Sequence, residues 1–388
     1  MLCAGNQTWS KNGSAAVWAS TPNSALQTCS LILAATTAAC TTCRHKETDV
    51  TSKHWNNVEA EVALDPDLPI VDPHHHIWGK GWTHPLFEPY DADELIADTA
   101  DSGHNVIATV LVDSHAQHYT DGPEAMRPVG ETVYAERVVQ ESERRGGKAA
   151  GVCAAIMPHA NLCLGASVGE VLDAHAEASR RFRGIRHMLA YDAELPPIYG
   201  ASEAEISKRP EFRKGFAELA RRDLNFEAWA LQPQLGEVLD LAHAFPQVTI
   251  VLNHLGGPLG IGRFAERRTE GFKAWKEAMA QLATCSNIVV KLGGIYVTQT
   301  DPTKIQWPAR PLTSEEFADL HRQYVLTAID LFTPSRCMFE SNFPVDMLYT
   351  SYNALWNGYK RIASGFSPSE RSDMFAAVAK RVYKLQQT

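Results

Sequence analysis

Histidines, carboxylates and two cationic side chains recur along this chain, each directly after a short apolar run. The first group is Asp72-Pro-His-His-His-Ile-Trp78. In extended backbone His74 and His76 project to one side and His75 to the other. Two imidazoles on one side can hold a metal ion or polarise a carbonyl. Asp113 and His115 follow a second run and Arg186 and His187 a fourth. The planar Arg186 fork suits a carboxylate ligand, with a structural salt bridge as its other use. His254 opens His254-Leu-Gly-Gly-Pro258, whose glycines allow a tight turn. Lys291 precedes Gly293-Gly294, and the last group is Glu340-Ser-Asn342-Phe-Pro-Val-Asp346. Glu340 and Asn342 share a face by period-two alternation, and Asp346, beyond Pro344, reads as a helix N-cap.

These groups need a scaffold that brings them together. The apolar runs are 69–72, 105–112, 150–156, 182–186, 225–229, 248–252, 287–291 and 336–339. They are continuously hydrophobic, the pattern of parallel strands buried on both faces. Helical patterns lie between them, among them Val168 to Arg181, Glu211 to Arg222, Phe272 to Ala283 and Ser314 to Leu331. Eight strand–helix units predict an α/β chain folded as a (β/α)8 TIM barrel, in which strand C-termini carry the chemistry. A doubly wound sheet would show a glycine fingerprint after its first strand, and none follows Val71.

With those residues in place, the chain resembles the amidohydrolase-related family that includes sugar-lactone and 2-pyrone-4,6-dicarboxylate lactonases. The resemblance spans about Pro69 to Leu385 and rests on His74-x-His76, Phe182-Arg-Gly-Ile-Arg-His187, His254-Leu-Gly-Gly-Pro258, Val290-Lys-Leu-Gly293 and Ser341-Asn-Phe-Pro344. It implies a barrel with the paired histidines after the first strand, further histidines later, and a carboxylate after the last strand. His74, His76 and His254 match the histidines, but the usual aspartate position falls on Asn342, which is neither a general base nor a good metal ligand. Glu340, two residues earlier on the same face, could substitute, as could Asp346 with less reason. Some members of this group hydrolyse lactones without a metal.

Composition bounds the remainder. The chain has 388 residues and a net charge of −9. That charge, with no long basic run, argues against nucleic acid as a partner, and no apolar stretch reaches the roughly 20 residues that span a membrane. Residues 1–57 carry no acidic residue before Glu47 and are rich in Ser, Thr and Ala. They read as a disordered N-terminal extension with some transit-peptide character, ahead of a barrel domain at 58–388. Cys3, Cys29, Cys40 and Cys43 fall in the extension; Cys153, Cys163, Cys285 and Cys337 read as buried free thiols of a reducing compartment. A cytoplasmic location is expected, or an organellar one if the extension is a transit peptide. Trp78, Trp82, Trp229 and Trp307 read as core packing or as walls of an apolar pocket.

The functional expectation is a hydrolase acting on a small anionic lactone or related carbonyl compound. Arg186, His187 and Lys291 would bind substrate. His74, His76, His254 and Glu340 would hold one divalent ion, zinc by donor type, with Asp113 offered to a second. Glu340 would activate water, with His254 polarising the carbonyl and Asn342 positioning water or substrate. The alternatives on the same barrel are a dinuclear iron or manganese oxygenase, a metal-dependent decarboxylase, and a non-catalytic subunit that binds a ligand or partner. A homo-oligomer is compatible with all of these.

Overall fold

The computed structural model describes residues 60–79, 87–195, 203–300 and 310–385. The expectations for residues 1–57, Trp82 and Trp307 lie outside that set. Eight parallel strands follow in chain order: β1 (Pro69–His75), β2 (Asn105–Val112), β3 (Ala155–Met157), β4 (Gly184–Arg186), β5 (Asn225–Ala228), β6 (Ile250–Leu252), β7 (Ile288–Leu292) and β8 (Cys337–Phe339). Ladders run β1-β2-β3 and β4-β5-β6-β7-β8. Single bridges join the two arcs. Ile156 pairs with Phe182, His159 with Arg186, and His75 with Phe343. At the last seam Asn342 N–H donates to His74 O (2.9 Å) and His76 N–H to Phe343 O (2.8 Å). The fold is a closed (β/α)8 barrel.

Helices α1 (Ala92–Asp101), α2 (Val129–Arg145), α3 (Val168–Ala178), α4 (Pro210–Arg221), α5 (Leu235–Ala244), α6 (Arg268–Ala283), α7 (Tyr296–Gln299), α8 (Ser314–Phe332) and α9 (Tyr352–Ile362) connect the strands or follow the last one. Their starts are locally encoded. Asp91 with Glu94 and Thr313 with Glu316 form capping boxes, and Ser351 caps α9.

Alternate residues of each strand face opposite layers, which explains the continuous hydrophobicity. Val71, Val110, Val112, Met157, Val251, Val289 and Met338 form one cluster, joined by Val378, Val382 and Tyr383 of the C-terminal segment. Ile70, Ile185, Phe226, Ile250, Leu252, Ile288 and Phe339 belong to the larger cluster shared with the helices. Each such fully buried Val, Leu, Ile or Phe contributes roughly 1.5–3 kcal/mol. Asn225 at the start of β5 donates to Val382 O (2.7 Å), and Arg183 just before β4 donates to Tyr383 O (2.8 Å). The C-terminal segment thus packs at the end where strands begin, leaving the other end for the polar groups.

One strand departs from the sequence reading by more than three residues. The third begins at Ala155 rather than at residue 150, because Gly147–Gly151 forms a 3-10 turn. Gly146 and Gly147 take positive φ (68° and 59°), which ends α2 and leads the chain into that turn. Among the free cysteines Cys153, Cys285 and Cys337 are buried as expected, whereas Cys163 is half-buried. No helix among the described residues is long and apolar enough to cross a membrane.

Candidate active site

The sequence-predicted residues gather at the strand C-termini. His74 lies at the centre: its ring centroid is 5.0 Å from that of His76 and 4.6 Å from that of His254. His75 points away, its Nε2 2.9 Å from Thr109 Oγ1. β1 changes register between Asp72 and His75, and Asp72 fixes this stretch to the end of β8. Its carboxylate accepts from His74 N–H (3.3 Å), Ser341 N–H (3.0 Å) and Tyr352 O–H (3.0 Å).

Glu340 is turned toward the imidazoles at the barrel axis. It is fully buried, and its two oxygens are turned to two imidazoles. Oε1 accepts from His254 Nδ1 (2.8 Å) and from the His254 backbone N–H (3.2 Å), while Oε2 lies 2.8 Å from His74 Nδ1. A carboxylate at Nδ1 sets the tautomer and leaves Nε2 of His254 as an acceptor. The backbone contact uses a left-handed conformation at His254 (φ 51°), and Gly294 (φ 64°) is required beside it, since a Cβ there would fall on His254 Nδ1. Trp229 meets the His254 ring edge-on at 4.8 Å. His76 donates Nδ1–H to Val112 O (2.9 Å), which also frees its Nε2. Burial, followed by the neighbouring cations and imidazoles, holds His74 and His76 well below the usual histidine range, so both are neutral at pH 7.

Lys291 was expected at the substrate. It is instead fully buried and committed, its Nζ 2.8 Å from Glu227 Oε2 and 3.2 Å from His74 Nδ1. Burial lowers its pKa, opposed by Glu227 and Glu340. Glu227 also accepts from Asn253 Nδ2 and from Tyr383 O–H (2.6 Å). Sequence reading missed Glu227, although a carboxylate in the middle of a buried strand announces a buried partner.

Arg186 is buried, with NH1 3.5 Å from His74 Nε2 and Nε 3.7 Å from Asp113 Oδ2. Its Nε makes no hydrogen bond, leaving donor capacity for a ligand. His187 accepts at Nδ1 from Leu162 N–H (3.2 Å) and stands edge-on to His159, ring centroids 5.2 Å apart.

Asn342 takes left-handed backbone (φ 55°) and donates Nδ2–H to Asp346 Oδ1 (2.9 Å). Asp346 is not the N-cap expected. It is fully buried and also accepts from Tyr349 O–H (2.6 Å). Burial pushes its pKa up to about 8 against the pull of these donors. The folded value exceeds the ordinary 3.8, so the associated stability is complete below about pH 4 and is lost as pH rises to about 8. Denaturant midpoints of the wild type should therefore fall more between about pH 5 and about pH 8 than those of Asp346→Asn. Equal slopes for the two proteins would refute this assignment.

A second polar group lies beside Arg186. It comprises Asp113, His115 and His118 after β2, His159 after β3, and Glu131 in the first turn of α2. His159 and His118 were not anticipated. His159 obeys the same strand-end rule in Met157-Pro-His159, whereas nothing local marks His118 or Glu131.

Three groups of described residues bring metal-type donor atoms within 4.8 Å of one another: His74, His254 and Glu340; Asp113, His115 and His159; and Asp113, His118 and Glu131. His76 belongs to none of them, although it was expected as a ligand. The first group fits a divalent cation poorly. Both ring nitrogens of His74 have a cationic neighbour, Lys291 3.2 Å from Nδ1 and Arg186 3.5 Å from Nε2, although Glu340 Oε2 stands nearer to Nδ1 at 2.8 Å. At an effective dielectric of 20, like charges about 4 Å apart repel by roughly 4 kcal/mol per pair of unit charges.

A barrel with imidazoles, a guanidinium and carboxylates at the strand ends has the build of an amidohydrolase, and the chain belongs to that family: residues 71–385 match Amidohydrolase. The uncharacterized protein y4mH of Sinorhizobium fredii is 34% identical over 82% of this chain and 99% of its own length. An L-fucono-1,5-lactonase of Burkholderia multivorans is 29% identical over 53% of this chain and 64% of its own length. Among solved structures, an amidohydrolase of Burkholderia multivorans with bound zinc superposes with a TM-score of 0.60 at 24% identity, covering 82% of this chain and 99% of that one. The 5-carboxyvanillate decarboxylase of Sphingomonas paucimobilis shares the fold at TM-score 0.50 and 12% identity, over 82% and 100% of the two chains.

Proposed function

We propose that this amidohydrolase opens a lactone bearing an anionic group, with His254 as general base. The observation that carries the reading is the 2.8 Å bond from His254 Nδ1 to the buried Glu340 carboxylate. Similarity to an L-fucono-1,5-lactonase supports the lactone class. His254 Nε2 takes a proton from water, the water oxygen adds to the lactone carbonyl carbon, and the ring C–O bond breaks. The imidazolium then returns its proton to the departing alkoxide, giving a hydroxy acid. Glu340 offsets the imidazolium charge and acts through His254 rather than on water itself.

Arg186 binds the carboxylate or the developing oxyanion, a role supported by its unbonded Nε within a buried setting. His187 lines the same side, and Asn342, held by Asp346, orients substrate or water. Lys291 is a positioning residue that keeps His74 and Glu340 in place. No step is routed through a metal at the barrel axis, given the two cations that flank His74.

The test is turnover of paired lactones with and without a carboxylate. Arg186→Met should cost the anionic substrate about 10- to 100-fold in kcat/KM, in line with a hydrogen bond to a charged group, and the neutral one much less. An equal loss on both would remove the anion-binding role. No turnover of any lactone by the wild type would end the reading.

A further inference from the structure

Outside the axial imidazoles, several buried polar atoms without a hydrogen bond gather in the group beside β2. Asp113 is fully buried and Glu131 nearly so, 2% exposed. Asp113 Oδ2, Glu131 Oε2 and His118 Nε2 make no hydrogen bond. Burying two carboxylates side by side costs several kcal/mol unless a cation or a shared proton answers them. Asp113 Oδ2 is answered by His115 Nδ1 at 3.0 Å and Arg186 Nε at 3.7 Å, whereas Glu131 Oε2 has only His118 Nε2, at 3.9 Å, among the described residues.

The spacing is that of ligands around an ion. His118 Nε2 lies 4.0 Å from Asp113 Oδ1 and 3.9 Å from Glu131 Oε2. Donors each about 2.0–2.2 Å from a zinc ion stand roughly 3–4 Å from one another. The remaining contacts orient the carboxylates toward that space. Glu131 Oε1 accepts from Ser114 N–H (3.0 Å) and Ser114 O–H (3.2 Å), and Asp113 Oδ1 accepts from His115 N–H (2.9 Å). Gly130 makes the approach feasible, because a Cβ there would lie 2.5 Å from Gln117 O and 2.7 Å from Tyr119 N. The backbone flanking His118 thereby packs directly on the start of α2, next to Glu131. His118 is about a quarter exposed, with 23% of its side chain accessible, which gives an ion a way in.

We infer that Asp113, His118 and Glu131 form a site for one divalent cation, separate from the axial His74, His254 and Glu340 group. Mixed carboxylate and imidazole donors suit zinc or manganese. The ion fastens the loop after β2 to α2, and a water or ligand oxygen takes the open coordination position.

The experiment counts zinc bound to the full chain after equilibration with zinc and exhaustive dialysis, together with zinc titration followed by thermal unfolding. The wild type is expected to hold about one ion per chain and to gain thermal stability on binding it. His118→Ala and Glu131→Gln should each weaken zinc binding by more than the roughly 10- to 100-fold that loss of an outer hydrogen-bond partner costs. Glu340→Gln should leave the count unchanged. Should Glu131→Gln fail to fold, His118→Ala on the partly exposed loop carries the test alone. A wild type that retains no zinc, or loss of zinc in Glu340→Gln but not in His118→Ala, overturns the assignment. Because the readout is stoichiometry, it stands or falls independently of lactone turnover.

Discussion

Glu340→Gln and His254→Ala should each lower lactone hydrolysis by on the order of 10²- to 10⁴-fold, the range over which a positioned general base acts. The two substitutions differ in what they disturb. His254→Ala removes the proton acceptor. Glu340→Gln keeps the shape but replaces an oxygen that accepts from His254 Nδ1 and the His254 backbone N–H, or the one facing His74. An amide there no longer compensates an imidazolium and can present N–H to Nδ1, inverting the tautomer. The double variant should be little worse than the worse single one, since residues that act as a unit are non-additive. Multiplicative losses in the double variant would mean that Glu340 acts on water by itself. Wild-type rates in both singles would dismiss the dyad.

The second large effect concerns stability. Lys291→Met should destabilise the barrel by roughly 3–5 kcal/mol, the cost of leaving one member of a buried ion pair alone. Lys291 and Glu227 are fully buried, 2.8 Å apart, and Lys291 also contacts His74. Without the ammonium, Glu227 retains Asn253 and Tyr383 as donors but no counter-charge. A Lys291→Met/Glu227→Gln double variant removes the stranded charge and should recover most of the loss, read as denaturant midpoints. If the double variant is as unstable as Lys291→Met, packing rather than charge is responsible, and the pairing argument fails.

The strands were legible because a barrel strand is buried on both sides and must be apolar throughout, so composition alone marks it. Their C-terminal neighbours were legible because a polar cluster at the end of a buried strand has few structural uses; His74, Arg186, His254 and Glu340 were found this way. The helix predictions came within a few residues, Ser314–Phe332 against an expected end at Leu331. The third strand's start was misplaced because glycine torsions decide where extension begins, and apolarity at 150–154 does not distinguish a turn from a strand.

The sequence by itself determined the kind of barrel, the family and which residue types reach its mouth, because alternation along a strand and position after it are local properties. Only tertiary structure decided which atoms those residues turn toward one another. Glu340 meets two imidazoles, Lys291 pairs with Glu227, Asp346 holds Asn342, and Asp113, His118 and Glu131 converge beside α2. Most of these contacts join different strands or a strand to a helix, and they exist only once the ring has closed. Partner choice in a buried site is set by the geometry of closure and by the cost of leaving a charge unanswered, neither of which a single segment encodes.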